Sequence, residues 1–111
     1  MKLKRKDVCN SKHFPKKYRS IRKTAHFIYR QWDRRVDDSV LEKIFQKIPK
    51  FNPRKTIFIV SRVTLKALGI KGKNNMAVVM DGIVAVTLYF IDSMYEFLLD
   101  NANKGVELEI V

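Results

Sequence analysis

The sequence predicts an α+β domain in which two N-terminal helices pack on an antiparallel β-sheet, followed by a further helix and strand. Three observations support this class. Apolar side chains repeat with helical spacing across residues 20–48, strand-forming runs flank a hairpin signal across residues 56–90, and residues 93–111 return to a helix and an alternating strand. Short connections between such elements favour antiparallel pairing with the helices on one face of the sheet.

The 111-residue chain has the length of one domain with a real core. We expect residues 1–18 to form a basic flexible arm and residues 19–111 to form a single α+β domain. The lysines of the arm repel one another, and Pro15 blocks a continuous helix. The arm is either a solvated tail or a segment that grips phosphates, and the sequence leaves both interpretations open.

The first helix is predicted over residues 20–35. At about 100° of rotation per residue, one stripe is apolar and is expected to face the core, which would bury Trp32. That stripe contains Ile21, Ala25, Ile28, Tyr29, Trp32 and Val36. A second stripe is almost purely cationic and contains Arg19, Lys23, His26, Arg30 and Arg34. The helix therefore predicts one side for packing and one for an anionic ligand.

The second helix is predicted over residues 38–48. Asp37, Asp38 and Ser39 are good N-cap residues, and Ser39 with Glu42 fits a capping box. Apolar residues then repeat with helical spacing until Pro49 ends the helix.

The strands are predicted over residues 56–62, 76–80 and 83–90. The last two flank Asp81-Gly82, a strong two-residue hairpin signal. This turn predicts that Val79 pairs with Val84 and that Ala77 pairs with Val86. Residues 63–75 fit no single element.

The C-terminal helix is predicted over residues 93–103, where Ser93 with Glu96 forms a capping box and Gly105 ends the helix. Residues 106–111 alternate in polarity, which is typical of a half-exposed strand.

The positive charge is concentrated in the N-terminal third. Residues 1–35 contain 13 basic and 2 acidic residues, whereas residues 36–111 contain 10 basic and 9 acidic residues. This asymmetry indicates nucleic acid, an anionic membrane or an acidic protein as the partner. Nucleic acid is favoured, because the apolar side of the first helix is assigned to the core and not to a membrane surface.

Several function classes are disfavoured by composition. Cys9 is the only cysteine, so an internal disulfide and cysteine-based zinc modules are excluded. His13 and His26 have no acidic residue at ligand spacing, and we expect neither a metal nor a cofactor. Apolar runs fall short of a membrane span, and no signal-peptide pattern is present. We therefore expect a cytoplasmic protein without a membrane partner.

His26, Arg30 and Arg34 form the strongest candidate site. Spacing by four places them on one helical stripe, where mutual repulsion costs a few tenths of a kcal/mol per pair, at order of magnitude. Arginine grips phosphate through a planar fork, and histidine moves protons near neutral pH. These three residues are the minimum set for cleaving RNA. The other interpretation is a solvated polar face that also touches nucleic acid.

The motif also carries a family resemblance. The motif is His26-Phe-Ile-Tyr-Arg30-Gln-Trp-Asp-Arg34, followed by Asp37-Asp38 and a helix, and later by the strand Val86-Thr87-Leu88-Tyr89. This arrangement resembles small bacterial domains of the barnase–EndoU–colicin–RelE-like ribonuclease group. That group occurs among bacterial toxins and mobile elements. The resemblance spans roughly residues 24–90, and it implies that the active site lies on a face of the sheet. It also implies five candidate catalytic positions, namely His26, Arg30, Arg34, Thr87 and Tyr89.

The first functional hypothesis is a metal-independent endoribonuclease of the toxin type, acting in a bacterial cytoplasm. It would cleave RNA by 2′-OH attack to leave a 2′,3′-cyclic phosphate, and an acidic antitoxin or immunity protein would be its partner. The candidate RNA-binding residues are Lys16, Lys17, Arg19, Arg22 and Lys23. The alternative is a non-enzymatic nucleic-acid-binding or host-inhibiting protein of a phage or plasmid that acts through its basic N-terminal third. Because His26 lies about 110° from the centre of the apolar stripe, catalysis with Thr87 requires a cleft at the edge of the helix.

Overall fold

The computed structural model describes residues 21–48, 50–72 and 74–111. Its elements in chain order are β1 (Arg22–Lys23), α1 (Ala25–Asp33), α2 (Asp38–Gln46), β2 (Lys55–Val60), α3 (Arg62–Ala67), β3 (Met76–Asp81), β4 (Val84–Phe90), α4 (Met94–Lys104) and β5 (Glu107–Ile110). The α+β class is therefore confirmed. The expected basic arm, residues 1–18, lies outside the described residues.

The five strands form a mixed sheet in the order β1-β4-β3-β2-β5. The three central strands pair antiparallel, as predicted. Both edge strands are parallel to their neighbours, β1 to β4 and β5 to β2. The prediction of a purely antiparallel sheet is therefore wrong. The chain reaches β5 through α4, and a helical crossover of this kind permits parallel pairing.

Helices cover both faces of the sheet. On one face, Phe58, Val78 and Leu88 form a core with α1, α2 and α3, which contribute Phe27, Leu41 and Leu65, among others. On the other face, Ile57 and Val79 pack against Met94 and Phe97 of α4. The expectation of helices on one face is therefore also wrong, because α4 crosses to the second face.

Helix α1 is shorter than predicted and is rotated relative to its expected orientation. It starts after Thr24, which is its N-cap, and Phe27 and Gln31 are its buried residues. Trp32 is 77% exposed and Tyr29 is 56% exposed. The prediction that Trp32 lies in the core is therefore wrong.

Hydrogen bonds explain the orientation of α1. Residues 22–23 form β1 instead of a first helical turn, so the helix starts at the edge of the sheet. The ammonium of Lys23 is buried and donates to Gln31 Oε1 and Asp38 Oδ1, both at 2.9 Å. Gln31 Nε2 also donates to Asp38 Oδ1 at 2.8 Å. This network holds the Gln31 side of the helix inward.

Helix α2 begins as predicted, although its N-cap is Asp37 and not Ser39. Asp37 Oδ1 accepts hydrogen bonds from Val40 N at 3.1 Å and from Ser39 Oγ at 2.8 Å. These two bonds lower the pKa of the Asp37 carboxyl. The N-cap is therefore ionised at neutral pH, where a negative charge at a helix N-terminus is favourable.

The hairpin contains a β-bulge that changes the predicted register. Val79 lies opposite Thr87 and Met80 lies opposite Ala85, which leaves Val86 as the extra residue. The predicted pairs of Val79 with Val84 and Ala77 with Val86 are therefore wrong. Because the bulge shifts the alternation of β4, Leu88 joins the core under α1, whereas Thr87 lies on the same face as Val79, under α4.

The two remaining helices have clear caps. The ambiguous segment contains α3, whose N-cap Ser61 accepts a hydrogen bond from Thr64 N at 3.2 Å. Helix α4 follows the prediction closely: Ser93 Oγ accepts from Glu96 N at 3.3 Å, and Gly105 ends the helix with a φ of 69°. This left-handed conformation suits glycine because it has no Cβ.

Candidate active site

The start of α1 is attached to the bulge in β4. Thr24 N donates to Ala85 O at 3.0 Å, and Thr24 Oγ1 donates to Val86 O at 2.7 Å. The same hydroxyl accepts from Phe27 N at 3.0 Å and so caps the helix. His26 follows Thr24 by two residues, and Thr87 follows Val86 directly. One threonine therefore anchors the chain segments of both residues at the edge of the sheet.

His26 lies on the solvent side of this junction. Its side chain is exposed and has no hydrogen-bond or ion-pair partner within the described part of the chain. An imidazole without an internal partner is open to a ligand from solution. Its position in the first turn of α1, close to the bulge, makes it the candidate proton-transfer group.

Arg30 in α1 and Arg34 at its C-cap follow His26 at intervals of four residues. Both side chains are half-buried, and the Nε atoms of both are buried without a hydrogen-bond acceptor among the described residues. Arg34 Nη1 pairs with Asp33 Oδ2 at 3.0 Å. A buried donor left unsatisfied costs about 1–3 kcal/mol, so this arrangement needs an explanation beyond packing. Arginine forks bind the oxygens of phosphate particularly well.

Thr87 and Tyr89 face α4. The ring of Tyr89 packs on Phe97, with the ring centroids 6.3 Å apart. Burial raises the pKa of the Tyr89 hydroxyl, with a further contribution from Asp100. Among the described residues, no hydrogen bond connects Thr87 or Tyr89 to α1. Thr87 and Tyr89 therefore lie on the face of the sheet that α4 covers, opposite to α1, although the backbone of Thr87 directly follows the bulge to which α1 is attached.

The candidate RNA-binding residues have different environments. Arg22 is exposed at the edge of the sheet. Lys23 is only 3% exposed, and its ammonium is paired with Asp38. Lys23 therefore connects β1, α1 and α2 inside the protein. The other candidates, Lys16, Lys17 and Arg19, lie outside the described residues.

Sequence reasoning missed two contributors to the site. Thr24 is a favourable N-cap residue type directly before the helix, and that signal was hidden by the longer predicted helix. Gln31 is a polar residue one turn after Phe27, and its partner Asp38 was assigned only to helix capping. The link between Gln31, Lys23 and Asp38 depends on tertiary contacts, which local sequence patterns do not reveal.

The described residues show neither a cluster of metal ligands nor a membrane-spanning helix. They contain no group of three or more histidine, cysteine, aspartate or glutamate side chains that could hold a metal ion. None of the described helices combines the length and the hydropathy needed to cross a bilayer. No family model, curated protein or solved structure matches the chain.

Proposed function

We propose that the protein is a metal-independent endoribonuclease of the toxin type, with its active site where α1 meets the bulge in β4. The carrying observation is the pair of half-buried arginines, Arg30 and Arg34, whose buried Nε atoms lack acceptors next to an exposed His26. The resemblance of the His-x3-Arg-x3-Arg motif to bacterial ribonuclease domains supports the same function.

The proposed reaction needs one proton-transfer group and a cationic clamp. The 2′-oxygen of a ribose attacks the adjacent phosphorus, and the bond from phosphorus to the 5′-oxygen of the next nucleotide breaks. His26 either accepts the 2′-OH proton, while water protonates the leaving 5′-oxygen, or donates a proton to that oxygen, while water accepts the 2′-OH proton. The products are a 2′,3′-cyclic phosphate and a 5′-hydroxyl.

The arginines supply the electrostatic part of the reaction. Negative charge grows on the non-bridging oxygens in the transition state, and fixed cationic donors stabilise it most effectively where water is partly excluded. Arg30 and Arg34 meet that condition, because both are half-buried. In this proposal, Thr87 and Tyr89 are left out of the reacting set because they lie on the α4 face of the sheet. Lys23 is left out because its ammonium pairs with Asp38 inside the protein.

The charge distribution supports RNA as the substrate. The excess of basic residues in residues 1–35 would neutralise backbone phosphates regardless of base sequence. The exposed Arg22 lies beside Thr24 and so extends this surface to the proposed site. A bacterial cell that makes such an enzyme would need an inhibitor, and an acidic antitoxin or immunity protein would match the same surface in a bacterial cytoplasm.

Cleavage of a mixed RNA pool in the presence of a chelator tests the proposal. We expect the wild-type protein to leave 2′,3′-cyclic phosphate ends. His26→Ala should slow cleavage by about 100-fold or more with an unchanged melting temperature, because His26 is exposed. Lys43→Ala, which removes an exposed cation from α2, is the matched control. Tight RNA binding without cleavage by the wild type, or full activity of His26→Ala, would contradict the proposal.

The second candidate function is a non-enzymatic nucleic-acid-binding or host-inhibiting protein. The observation that favours it is the orientation of Tyr89 toward Phe97 and away from α1, which leaves His26 as the principal acid–base group. Such a protein would bind RNA or DNA with a strong salt dependence and would leave both intact. The chelator assay distinguishes the two functions directly.

A further inference from the structure

Helix α4 leaves an apolar strip uncovered on its outward side. The strip consists of Tyr95, Leu98, Leu99 and Ala102, which are spaced by three and four residues along the helix. Tyr95 is 75% exposed, Leu99 is 51% exposed and Leu98 is 42% exposed. Neighbouring apolar side chains that remain in water on a surface helix are typical of a docking surface.

A groove runs beside this strip, between α4 and the end of β4. It encloses about 550 Å³, and Leu99 lines it as well as belonging to the strip. Tyr89 and Phe97 contribute aromatic rings to its wall. The carboxylates along it are Asp92, Glu96 and Asp100. Burial, and after it the charge of Asp100, raises the pKa of the Tyr89 hydroxyl, so the negative field of α4 acts inside the groove.

The occupant of this surface must be apolar and cationic at once. Carboxylates repel phosphate, so RNA does not fit the groove. The basic arm, residues 1–18, does fit it, because it carries seven lysine and arginine residues against one aspartate, and Phe14 stands among them. Residues 91–111 instead carry five acidic residues and one lysine. The two segments are therefore complementary in charge, which favours their association.

The length of the chain before β1 allows the arm to reach the groove. Arg22 of β1 pairs with Val84 at the start of β4, whereas the groove lies beside Phe90 at the end of the same strand. Six residues of strand separate Val84 from Phe90, which is about 20 Å. The twenty residues that precede Ile21 span up to about 65 Å when extended. This length exceeds the distance even if the chain first turns back along the sheet.

We propose that the apolar strip and groove of α4 bind the basic arm of the same chain, residues 1–18. Because the arm is tethered, its effective concentration at the groove is about millimolar, and individually weak contacts suffice. In the proposed function the same arm neutralises RNA phosphates, so RNA and α4 compete for it. The docking itself does not depend on whether the protein cleaves RNA.

A nitroxide attached to Cys9 tests the contact in the full-length protein, because the chain has no other cysteine. The nitroxide broadens the NMR signals of residues close to the arm. We expect broadening at Glu96, Leu99 and Asn103, which line the groove, and none in α3, which packs on the other face of the sheet. Added salt should reduce the broadening, because exposed charges are screened. Absence of broadening on α4 would overturn the inference.

A mixed sample identifies which chain supplies the arm. Nitroxide-labelled protein without isotopes is mixed with isotope-enriched protein that carries no nitroxide. We expect no broadening on α4 in this mixture, because each groove is filled by the arm of its own chain. Broadening in the mixture would assign the groove to the arm of a second copy and would overturn the proposal.

Charge variants separate a local site from net charge. Glu96→Gln with Asp100→Asn removes two carboxylates from the groove and should restore the α4 signals. Glu107→Gln with Glu109→Gln removes the same charge from β5, at the opposite edge of the sheet from β1, and should leave the broadening unchanged. Equal restoration by both pairs would show that net charge alone attracts the arm, and it would overturn the site.

Competition with RNA is measured in the His26→Ala protein, which prevents cleavage in the proposed mechanism. Single-stranded RNA should restore the α4 signals, and the groove variant should bind RNA about 3-fold or more tightly than the β5 variant, because its arm is already free. RNA that binds while the arm stays on α4 would overturn the competition. None of these measurements involves cleavage, so a protein that docks its arm but cleaves no RNA would overturn only the ribonuclease proposal.

Discussion

Helices α1 and α4 pack on opposite faces of the same sheet, and different interactions determine which side of each helix faces the sheet. In α4, the apolar Met94 and Phe97 pack on the sheet, as the apolar pattern predicts. In α1, Gln31 and the stems of Arg30 and Arg34 turn inward, while Trp32 faces solvent. Burial of apolar area determines the first orientation. Strand pairing, a threonine cap and a buried polar network, together with the burial of Phe27, determine the second.

The two helices also differ in charge. Residues 91–111, which include α4, contain five acidic residues and one lysine. The N-terminal third is strongly basic, and α1 carries Arg30, with Arg34 as its C-cap. A polyanion would therefore approach the protein from the α1 side. Local patterns that fail at a polar, partly buried helix are typical of functional sites.

The largest expected effect concerns two of the aromatic residues of α1, Phe27 and Trp32. Phe27 is fully buried in the core under α1, so Phe27→Ala should lower the free energy of unfolding by about 3–5 kcal/mol. Trp32→Ala should change it by less than about 0.5 kcal/mol, because the ring is exposed. Urea denaturation of both variants provides the comparison. Equal losses from the two substitutions would contradict the orientation of α1.

The buried network of α1 should respond as strongly. Asp38→Ala removes the carboxylate that pairs with the Lys23 ammonium, and the Lys23 side chain is only 2% exposed. The substitution should lower the free energy of unfolding by about 3–5 kcal/mol. The double variant Lys23→Met, Asp38→Ala should recover part of the loss in the same denaturation assay. Asp100→Ala breaks the exposed pair with Lys104 on α4 and is the control, with an expected cost of at most about 0.5 kcal/mol. Similar costs for Asp38→Ala and Asp100→Ala would show that the network does not hold α1.

Much of the fold could be predicted, because local signals determine it. Ser93 and Gly105 correctly delimited α4, and β-branched runs located the central strands. The parallel edges, the bulge at Val86 and the inward side of α1 were not predictable in the same way. Each depends on contacts between residues far apart in the chain, such as the bond from Thr24 Oγ1 to Val86 O.

The candidate site was predictable only as a motif. The stripe of His26, Arg30 and Arg34 follows from spacing alone. The partial burial of Arg30 and Arg34 does not follow from spacing, because apolar periodicity assigned the opposite side of α1 to the core. The predicted association of Tyr89 with His26, Arg30 and Arg34 depended on which face of the hairpin Tyr89 occupies. The bulge in β4 determines that face.

A smaller effect is expected at the N-cap of α2. Asp37→Ala should lower the free energy of unfolding by about 0.5–2 kcal/mol at neutral pH. Hydrogen bonds lower the pKa of Asp37 in the folded state. Its stabilising contribution is therefore fully present above the unfolded value near 3.9 and is lost as the pH falls through the lower folded pKa. Denaturation between pH 2 and pH 7 at roughly unit intervals should show the wild type and Asp37→Ala converging in acid. A pH-independent difference would exclude the carboxylate as its source.

The smallest expected effect concerns the RNA-facing charge beside α1. Arg22→Gln should leave stability unchanged, since Arg22 is exposed. It should reduce the slope of log affinity against log salt by about one phosphate contact. Lys104→Gln on α4 removes the same charge from the acidic side, and it should leave the slope unchanged. Equal changes from both variants would indicate that RNA binding depends on net charge and not on the α1 side.

The central claim is that Arg30 and Arg34 are half-buried for function and not for stability, unlike the structural network of Lys23, Gln31 and Asp38. Arg30→Met, with Arg62→Met on α3 as the exposed control, tests it through RNA cleavage and urea denaturation on the same samples. Because the substitution removes a buried, unsatisfied Nε, we predict unchanged or increased stability. We also predict at least about 100-fold slower cleavage, the usual loss for one transition-state donor. A less stable protein that cleaves RNA like the wild type would show that Arg30 is structural, and it would contradict the claim.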